Sequence, residues 1–406
     1  MPRLFAFYFL DLLGFGLIIP VLPFMALRLG GSPQEVTLLI ATYSAALLFS
    51  APFWGRVSDR VGRKPVLLVS FVGTCSAFLM MAFADHLWML FAARAIAGLL
   101  SGDIAAAPAY VADITKPKDR AKAMGILGAA FGLAFTIGPA LGGYFIGDDP
   151  TPADYRNLPL FSAGLSATTL ILTALFLPET KNKGTSNPSA AVTADSPSVF
   201  RGYVESLRFP HVGLIIAIVF LISVVFASLE STIALWSEAA LGWGPNFVGY
   251  LLAYAGIIWV GVQGGLIGPL TRRFGESRLV ISASALLAVG MLAIGLTQGL
   301  VLLLIGVACL TAGLALSNPT LQSLISRLCQ SGTAGGALGI SQATSSLARV
   351  VGPAIAGLLF QQAGRSAPYL FGALVMLGVI WLALLLNRRM AARKSLAEPH
   401  GSDNDW

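Results

Sequence analysis

Apolar stretches of 18 or more residues recur along this sequence from end to end, and no other feature restricts its folding as strongly. At 1.5 Å of helix rise per residue, each is long enough to cross the ~30 Å hydrocarbon layer of a bilayer. They fall near 4–27, 34–54, 65–83, 87–112, 120–146 and 158–177 in the first half, and near 211–236, 245–268, 278–296, 300–325, 333–359 and 367–387 in the second. Of the 406 residues 56% are hydrophobic and 11% charged, against roughly 25% charged in soluble globular proteins. A water-soluble core is a poor explanation, and the expected fold class is an all-α membrane protein of twelve transmembrane helices. The first stretch, Leu4 to Met25, lacks a small-residue cleavage site and contains Asp11, Pro20 and Pro23, so it reads as a retained helix and not as a signal peptide.

Orientation follows from the basic residues. With both termini placed in the cytoplasm, the cytoplasmic segments hold 21 of the 26 Lys and Arg residues, while the opposite side has only Arg28, Arg156 and Arg365. This is the asymmetry of the positive-inside rule, and it predicts a multi-pass protein of a bacterial inner membrane. The formal net charge of +7 then belongs beside anionic headgroups and not on nucleic acid. Cys75, Cys309 and Cys329 have no CxxC spacing, and His86, His211 and His400 are scattered, so neither a disulfide framework nor a metal site is expected. The sequence contains no GxxxxGK[ST], GxSxG or HExxH. ATP, cofactors and enzymatic activity are therefore not expected.

The longest polar stretch, Glu179 to Arg208, has the Ser, Pro, Asn and Ala content of a flexible linker. It divides the chain into a bundle over 1–180, a linker over 181–208, a bundle over 209–390 and a tail over 391–406. The halves read as copies. Gly55-Arg-Val-Ser-Asp-Arg-Val-Gly62 recurs as Gly268-Pro-Leu-Thr-Arg-Arg-Phe-Gly275, and Gly138-Pro139 in span five recurs as Gly352-Pro353 in span eleven, at offsets of 213 and 214. Tandem six-helix bundles with a binding site between them near the midplane are a recurrent plan of secondary transporters.

GRVSDRVGRKP after span two resembles the signature loop of the major facilitator superfamily, and the Gly and Pro pattern of span five resembles that of its antiporters. Asp11-Leu-Leu-Gly-Phe-Gly-Leu-Ile-Ile-Pro-Val-Leu-Pro23, Arg94-xxx-Gly98-xxx-Gly102 and Ala109-Tyr-Val-Ala-Asp-Ile-Thr115 make the chain similar to the tetracycline-efflux branch of drug:proton antiporters. The similarity covers nearly the whole chain. It implies two pseudo-symmetric bundles and a latch at the cytoplasmic gate built from Gly55, Asp59, Arg60, Gly62, Arg63 and Asp113. Read from the residues alone, the segment from Gly55 to Pro65 is a tight turn; Asp59 can cap a helix or pair with Arg63, and Asp113 is a second partner. The alternative is that its Arg and Lys residues only fix topology. One departure from the branch is that Ala77 and Leu287 stand where acids are expected in spans three and nine, which argues against a metal-chelated tetracycline as substrate.

Ionisable groups inside spans cost at least ~2.5 kcal/mol near a helix centre and invite a functional role. Asp11 and Asp103 lie ~10 and ~14 Å from the cytoplasmic side, and Arg94, Glu230 and Arg349 ~22 to 28 Å. Asp11 is the first candidate proton carrier and Asp103 the second. Arg94 resembles the family's buried arginine, which implies a part in proton coupling, yet its depth also suits the substrate cavity. Glu230 reads either as a cavity anion or as the structural partner of Arg349. Aromatic and amide groups that could line a mostly apolar pocket are Tyr43, Phe131, Tyr250, Tyr254 and Trp259, with Asn318, Gln322 and Gln342; each alone is more readily explained by ordinary packing or as an interface anchor. Gly128, Gly132, Gly138, Gly142 and Gly143, with Pro139, permit close helix contact in span five, either as a seal between the bundles on the outer side or as generic close packing; Gly352 and Pro353 are the packing residues of span eleven. Trp88, Trp236 and Trp243 fall at span ends and are assigned to the interfacial belt.

These readings converge on a monomeric proton-coupled antiporter that exports small amphiphilic or drug-like compounds by alternating access, with protons and a small molecule as its partners. An exporter of a metabolite such as a sugar, siderophore or lipid would carry the same motifs. A membrane receptor would need large soluble loops, which the sequence lacks.

Overall fold

The computed structural model describes residues 2–116, 119–180, 210–297, 299–328 and 334–397; the expected linker, Cys329, His400 and the end of the tail lie outside them. Among the described residues, twelve helices are long and apolar enough to cross a membrane: α1 Leu4–Arg28, α2 Pro33–Val61, α3 Arg63–Ala82, α4 Leu87–Ile114, α5 Lys122–Ile146, α6 Pro152–Phe176, α7 His211–Leu241, α8 Pro245–Phe274, α9 Glu276–Leu296, α10 Leu300–Leu328, α11 Gly336–Ala363 and α12 Ala367–Met390. Below, the end of the molecule holding the start of α1 and the turn between α2 and α3 is called the basic end, and the opposite end the far end.

Local chemistry sets the helix limits. Ser32 and Glu35 form a capping box at the start of α2, and Thr151 and Asp154 form another before α6, each satisfying backbone donors that a helix start leaves open. Gly62 and Gly275, the corresponding glycines of the repeat, turn the chain at φ +116° and +76°, where a side chain would be strained. The helix of α2 runs on to Val61. Residues 55–61 are therefore helical, and the expected loop reduces to the single residue Gly62.

Three helices are interrupted. α1 breaks between Ile18 and Leu22, where Pro20 and Pro23 withhold backbone donors. α4 breaks between Leu99 and Asp103, and α8 contains a π turn at Val262–Leu266 that follows Gly261 and includes Gly264 and Gly265.

Helices pair alike in the two halves: α1 packs on α5 and α6 as α7 packs on α11 and α12, and α3 lies on α6 as α9 lies on α12. Small residues permit the closest approaches. A Cβ at Gly138 would lie 2.8 Å from Gly16 Cα of α1, and one at Gly352 would lie 2.6 Å from Val224 O of α7. Gly142 faces Leu17 in the same way. These three glycines, with Pro139 and Pro353 beside two of them, join helices within a bundle. Trp236, expected at the interface with lipid, is 1% exposed and packs edge-on to Tyr369 in the core of the second bundle, because α7 continues past it to Leu241.

The bundles meet through α2 with α11 and through α5 with α8. Contact is tight at the far end: Gly143 faces Asn246 and Gly249, Gly256 faces Thr136, and Gly357 faces Gln34 and Thr37. Asn246 Nδ2 also donates to Asp148. Toward the basic end, Gly125, Gly128 and Gly132 of α5 and Gly261, Gly264, Gly265 and Gly268 of α8 face open space. Gly128 and Gly132 are thus outside the seal in this state, since α5 has already parted from α8 there. The molecule is closed at the far end and open at the basic end.

Candidate functional site

The ionisable groups away from the ends of the spans collect in two places. The first is the interior of the first bundle. Asp11 of α1 is 5% exposed, and its Oδ1 accepts a hydrogen bond from Ser166 Oγ of α6 at 3.0 Å. The bond sets the carboxyl against α6, and Tyr43 of α2 also lies within its electrostatic range. Cys75 of α3 lies within electrostatic range of it. Asp103 opens the second half of α4 and is also buried. The two acids act on one another, and both act on the buried hydroxyl of Tyr8. Among the described residues neither carboxylate forms an ion pair. Such a cluster can take up and give back a proton, because each proton gained removes a costly buried charge.

The break in α4 presents Asp103, and neighbouring helices hold it. Within apolar surroundings every freed backbone group needs a partner. Ser50 Oγ donates to Gly98 O at 2.7 Å, Trp54 Nε1 to Leu99 O at 2.7 Å and Ser70 Oγ to Leu100 O at 2.8 Å. Ser70 Oγ in turn accepts from the amide of Asp103 at 2.8 Å. Tyr43 OH lies 3.2 Å from Ser101 Oγ.

The second place is the space between the bundles. Arg94 of α4, 7% exposed, stacks over Tyr43 at 4.6 Å and Phe15 at 5.4 Å from the ring centres, and its Nε has no hydrogen-bond partner. Its charge acts on Tyr43 and on Glu230 of the other bundle. No ion pair joins Arg94 to Asp11 among the described residues. From Arg94 an aromatic strip runs Tyr43, Phe15, Phe135 and Phe131, with successive centroids 5.5, 5.9 and 4.3 Å apart, and Phe131 is 47% exposed. Opposite, Arg349 Nη1 meets Glu230 Oε2 at 3.4 Å, with the Arg349 side chain 47% and Glu230 28% exposed. They pair, but loosely. Tyr250, Asn318, Gln322 and Gln342 are exposed, and Tyr254 OH donates to Leu304 O at 3.4 Å.

A third cluster sits at the basic end. Arg63 bridges Asp59 at 2.6 Å and Asp113 at 3.0 Å, tying α2, α3 and α4 together. Glu179, beyond α6, accepts from the amides of Arg63 and Lys64 at 3.1 and 3.2 Å, so Glu179 caps α3 while Asp59 takes the pairing role. The second bundle holds a charge-inverted copy. Glu276 and Arg327, the residues 213 and 214 positions beyond Arg63 and Asp113, pair at 3.3 Å.

The family model for the Major Facilitator Superfamily matches residues 4–336 and 264–402. The chain belongs to this superfamily. As a superfamily member it is 30% identical to the tetracycline resistance protein, class H, of Pasteurella multocida, over 93% of this chain and 92% of that protein. It is 27% identical to multidrug resistance protein 2 of Bacillus subtilis (strain 168), over 93% and 92%. Among solved structures, the human organic anion transporter MFSD10 (TETRAN) superposes with a TM-score of 0.69 at 25% identity, over 94% of this chain and 98% of that one. Ala77 and Leu287 are both 1% exposed and packed between helices, leaving α3 and α9 without acids at those points.

Sequence reasoning missed Ser166, Ser70, Phe15, Phe135 and Glu179. Phe15 and Phe135 each follow a candidate, Asp11 or Phe131, by four residues, one helical turn; that spacing could have drawn them in. The partners Ser166, Ser70 and Glu179 have no such local signal.

Proposed function

We propose that this superfamily member is a proton-coupled antiporter that exports small amphiphilic, drug-like compounds by alternating access. The observation that carries the reading is the pair of buried acids, Asp11 and Asp103, in electrostatic contact and without a basic partner among the described residues, beside an aromatic cavity open at one end. Placed in a bacterial inner membrane as a monomer with cytoplasmic termini, the basic end is the cytoplasmic face and the state described is inward-facing.

In that state an amphiphile enters from the cytoplasm, lays its apolar body on Phe131, Phe135, Phe15 and Tyr43, and meets Arg94 and the Glu230–Arg349 pair with its polar groups. Proton loss from the Asp11–Asp103 cluster and substrate entry together favour closure of the cytoplasmic end, where the Asp59–Arg63–Asp113 cluster and its inverted counterpart Glu276–Arg327 line opposing rims. A proton taken up from outside favours the return. The tetracycline and multidrug relatives support a drug-like substrate, and the buried Ala77 and Leu287 weigh against recognition of a chelated metal.

The test is reconstitution in liposomes with an internal pH dye and an imposed proton gradient, screened with lipophilic cations, neutral drugs and organic acids. Proton movement triggered by one class supports the reading and names the class. Silence with all three refutes antiport.

A further inference from the structure

Asp11 poses a physical problem: its side chain is 5% exposed and its carboxyl is bonded to Ser166 of α6, so a proton must cross buried surroundings to reach it. α6 offers a route. Ser162, Ser166, Thr169 and Thr173 are 0, 0, 0 and 1% exposed, and at spacings of four, three and four residues they share one face of the helix. Over eleven residues this face extends ~16 Å along the bundle interior. Ser166 Oγ bonds Asp11. Ser162 Oγ, one turn toward the far end, and Thr173 Oγ1, two turns toward the basic end, are buried and have no hydrogen-bond partner. Thr169 Oγ1 donates to Leu165 O at 3.0 Å, which leaves its lone pairs free to accept. Buried hydroxyls are normally satisfied; two orphans flanking a buried acid on one stripe are not what close packing alone requires.

We infer that Asp11 exchanges its proton through the interior of the first bundle, along this hydroxyl face of α6, by a path separate from the substrate cavity. Successive turns set the hydroxyls ~5 Å apart, beyond the ~2.8 Å of an O–H···O bond, so single waters bridge the gaps, each held by two or more polar groups. A proton arriving at an outer hydroxyl displaces that hydroxyl's own proton to the next water, and the last transfer protonates an oxygen of Asp11; release reverses the order, and no other group is consumed.

The inference rests on Asp11 being the proton carrier, and the experiment separates the two. Infrared spectra of the whole detergent-solubilised protein are followed after transfer to heavy water. The carbonyl stretch of protonated Asp11 is identified as the band lost in Asp11→Asn. In the double variant Ser162→Ala, Thr173→Val its deuterium exchange should slow about tenfold or more, equivalent to ~1.4 kcal/mol in the barrier, while backbone amide exchange stays as in wild type. Thr173→Ser, which keeps a hydroxyl, should restore half of the path and behave as wild type when made alone. Unchanged Asp11 exchange in the double variant overturns the path. Slowing that Ser166→Ala, Ser162→Ala and Thr173→Ser all produce equally, with altered amide exchange, assigns the stripe to packing and also overturns it. Absence of an Asp11 band at every pH where the protein stays folded removes the carrier itself, a different failure.

Discussion

Gly143 gives the sharpest test of how the far end is sealed. A Cβ there would lie 2.7 Å from Asn246 O and 3.1 Å from Gly249 Cα, both backbone atoms of α8 with no side-chain rotation to relieve them. The shorter contact is about 0.7 Å inside the 3.4 Å at which ordinary van der Waals contact begins. Gly143→Ala therefore wedges α5 from α8. Overpacking of this kind costs typically ~1–3 kcal/mol, and here the cost falls only on the state closed at the far end. Removing that much from one of two states shifts their ratio by roughly 5- to 150-fold. The readout is a cysteine at Ala234, which is 3% exposed and packs with Phe24 and Val248 under the seal, in a background whose own cysteines are replaced. Labelling by an impermeant maleimide from the far side should accelerate by about that factor. Gly128→Ala, where a Cβ meets nothing within 4 Å, should leave labelling unchanged. If Gly143→Ala labels at the Gly128→Ala rate, the closed far end is not held by this contact.

Trp54→Phe removes the donor to Leu99 O at the break in α4 and should cost about 1–3 kcal/mol of stability, seen as a lowered Tm. Arg63→Lys keeps the charge but cannot span Asp59 and Asp113 with a planar fork; it should fold and bind normally while lowering transport, and full transport by the variant would reduce the cluster to a topology signal. Arg349→Ala breaks a loose, half-exposed pair and should change Tm by the equivalent of less than about 1 kcal/mol. If it unfolds the protein instead, the pair is structural and not part of the cavity.

Much of the fold was legible because it depends on local properties. Hydropathy alone gives the twelve helices, and the repeated glycine at 62 and 275 marks the same left-handed turn twice. The break in α4 was hidden for a physical reason. Its freed carbonyls are satisfied by Ser50, Trp54 and Ser70 from other helices, so Leu100 to Gly102 needs no proline or charged residue of its own and the stretch reads as continuous. Glu179 capping α3 is a contact across 116 positions, and the Glu276–Arg327 pair inverts the charges on which a motif search relies. Asp11, Asp103 and Arg94 could be picked out from their cost in a membrane, but which of them share a cluster depends on helix rotation. The turn from Asp11 to Ser166, and from Arg94 to Tyr43 and Phe15, is set by tertiary packing that no span count contains.

The central claim is that the acid cluster in the first bundle carries the exchanged proton. Asp11→Asn keeps the size of the side chain and can still bond Ser166, so it should fold, with an unchanged Tm. Protons released on addition of a compound that drives proton movement in the wild type are then measured in weakly buffered detergent solution. The account predicts that the variant releases none while still binding the compound, and release equal to wild type would contradict it.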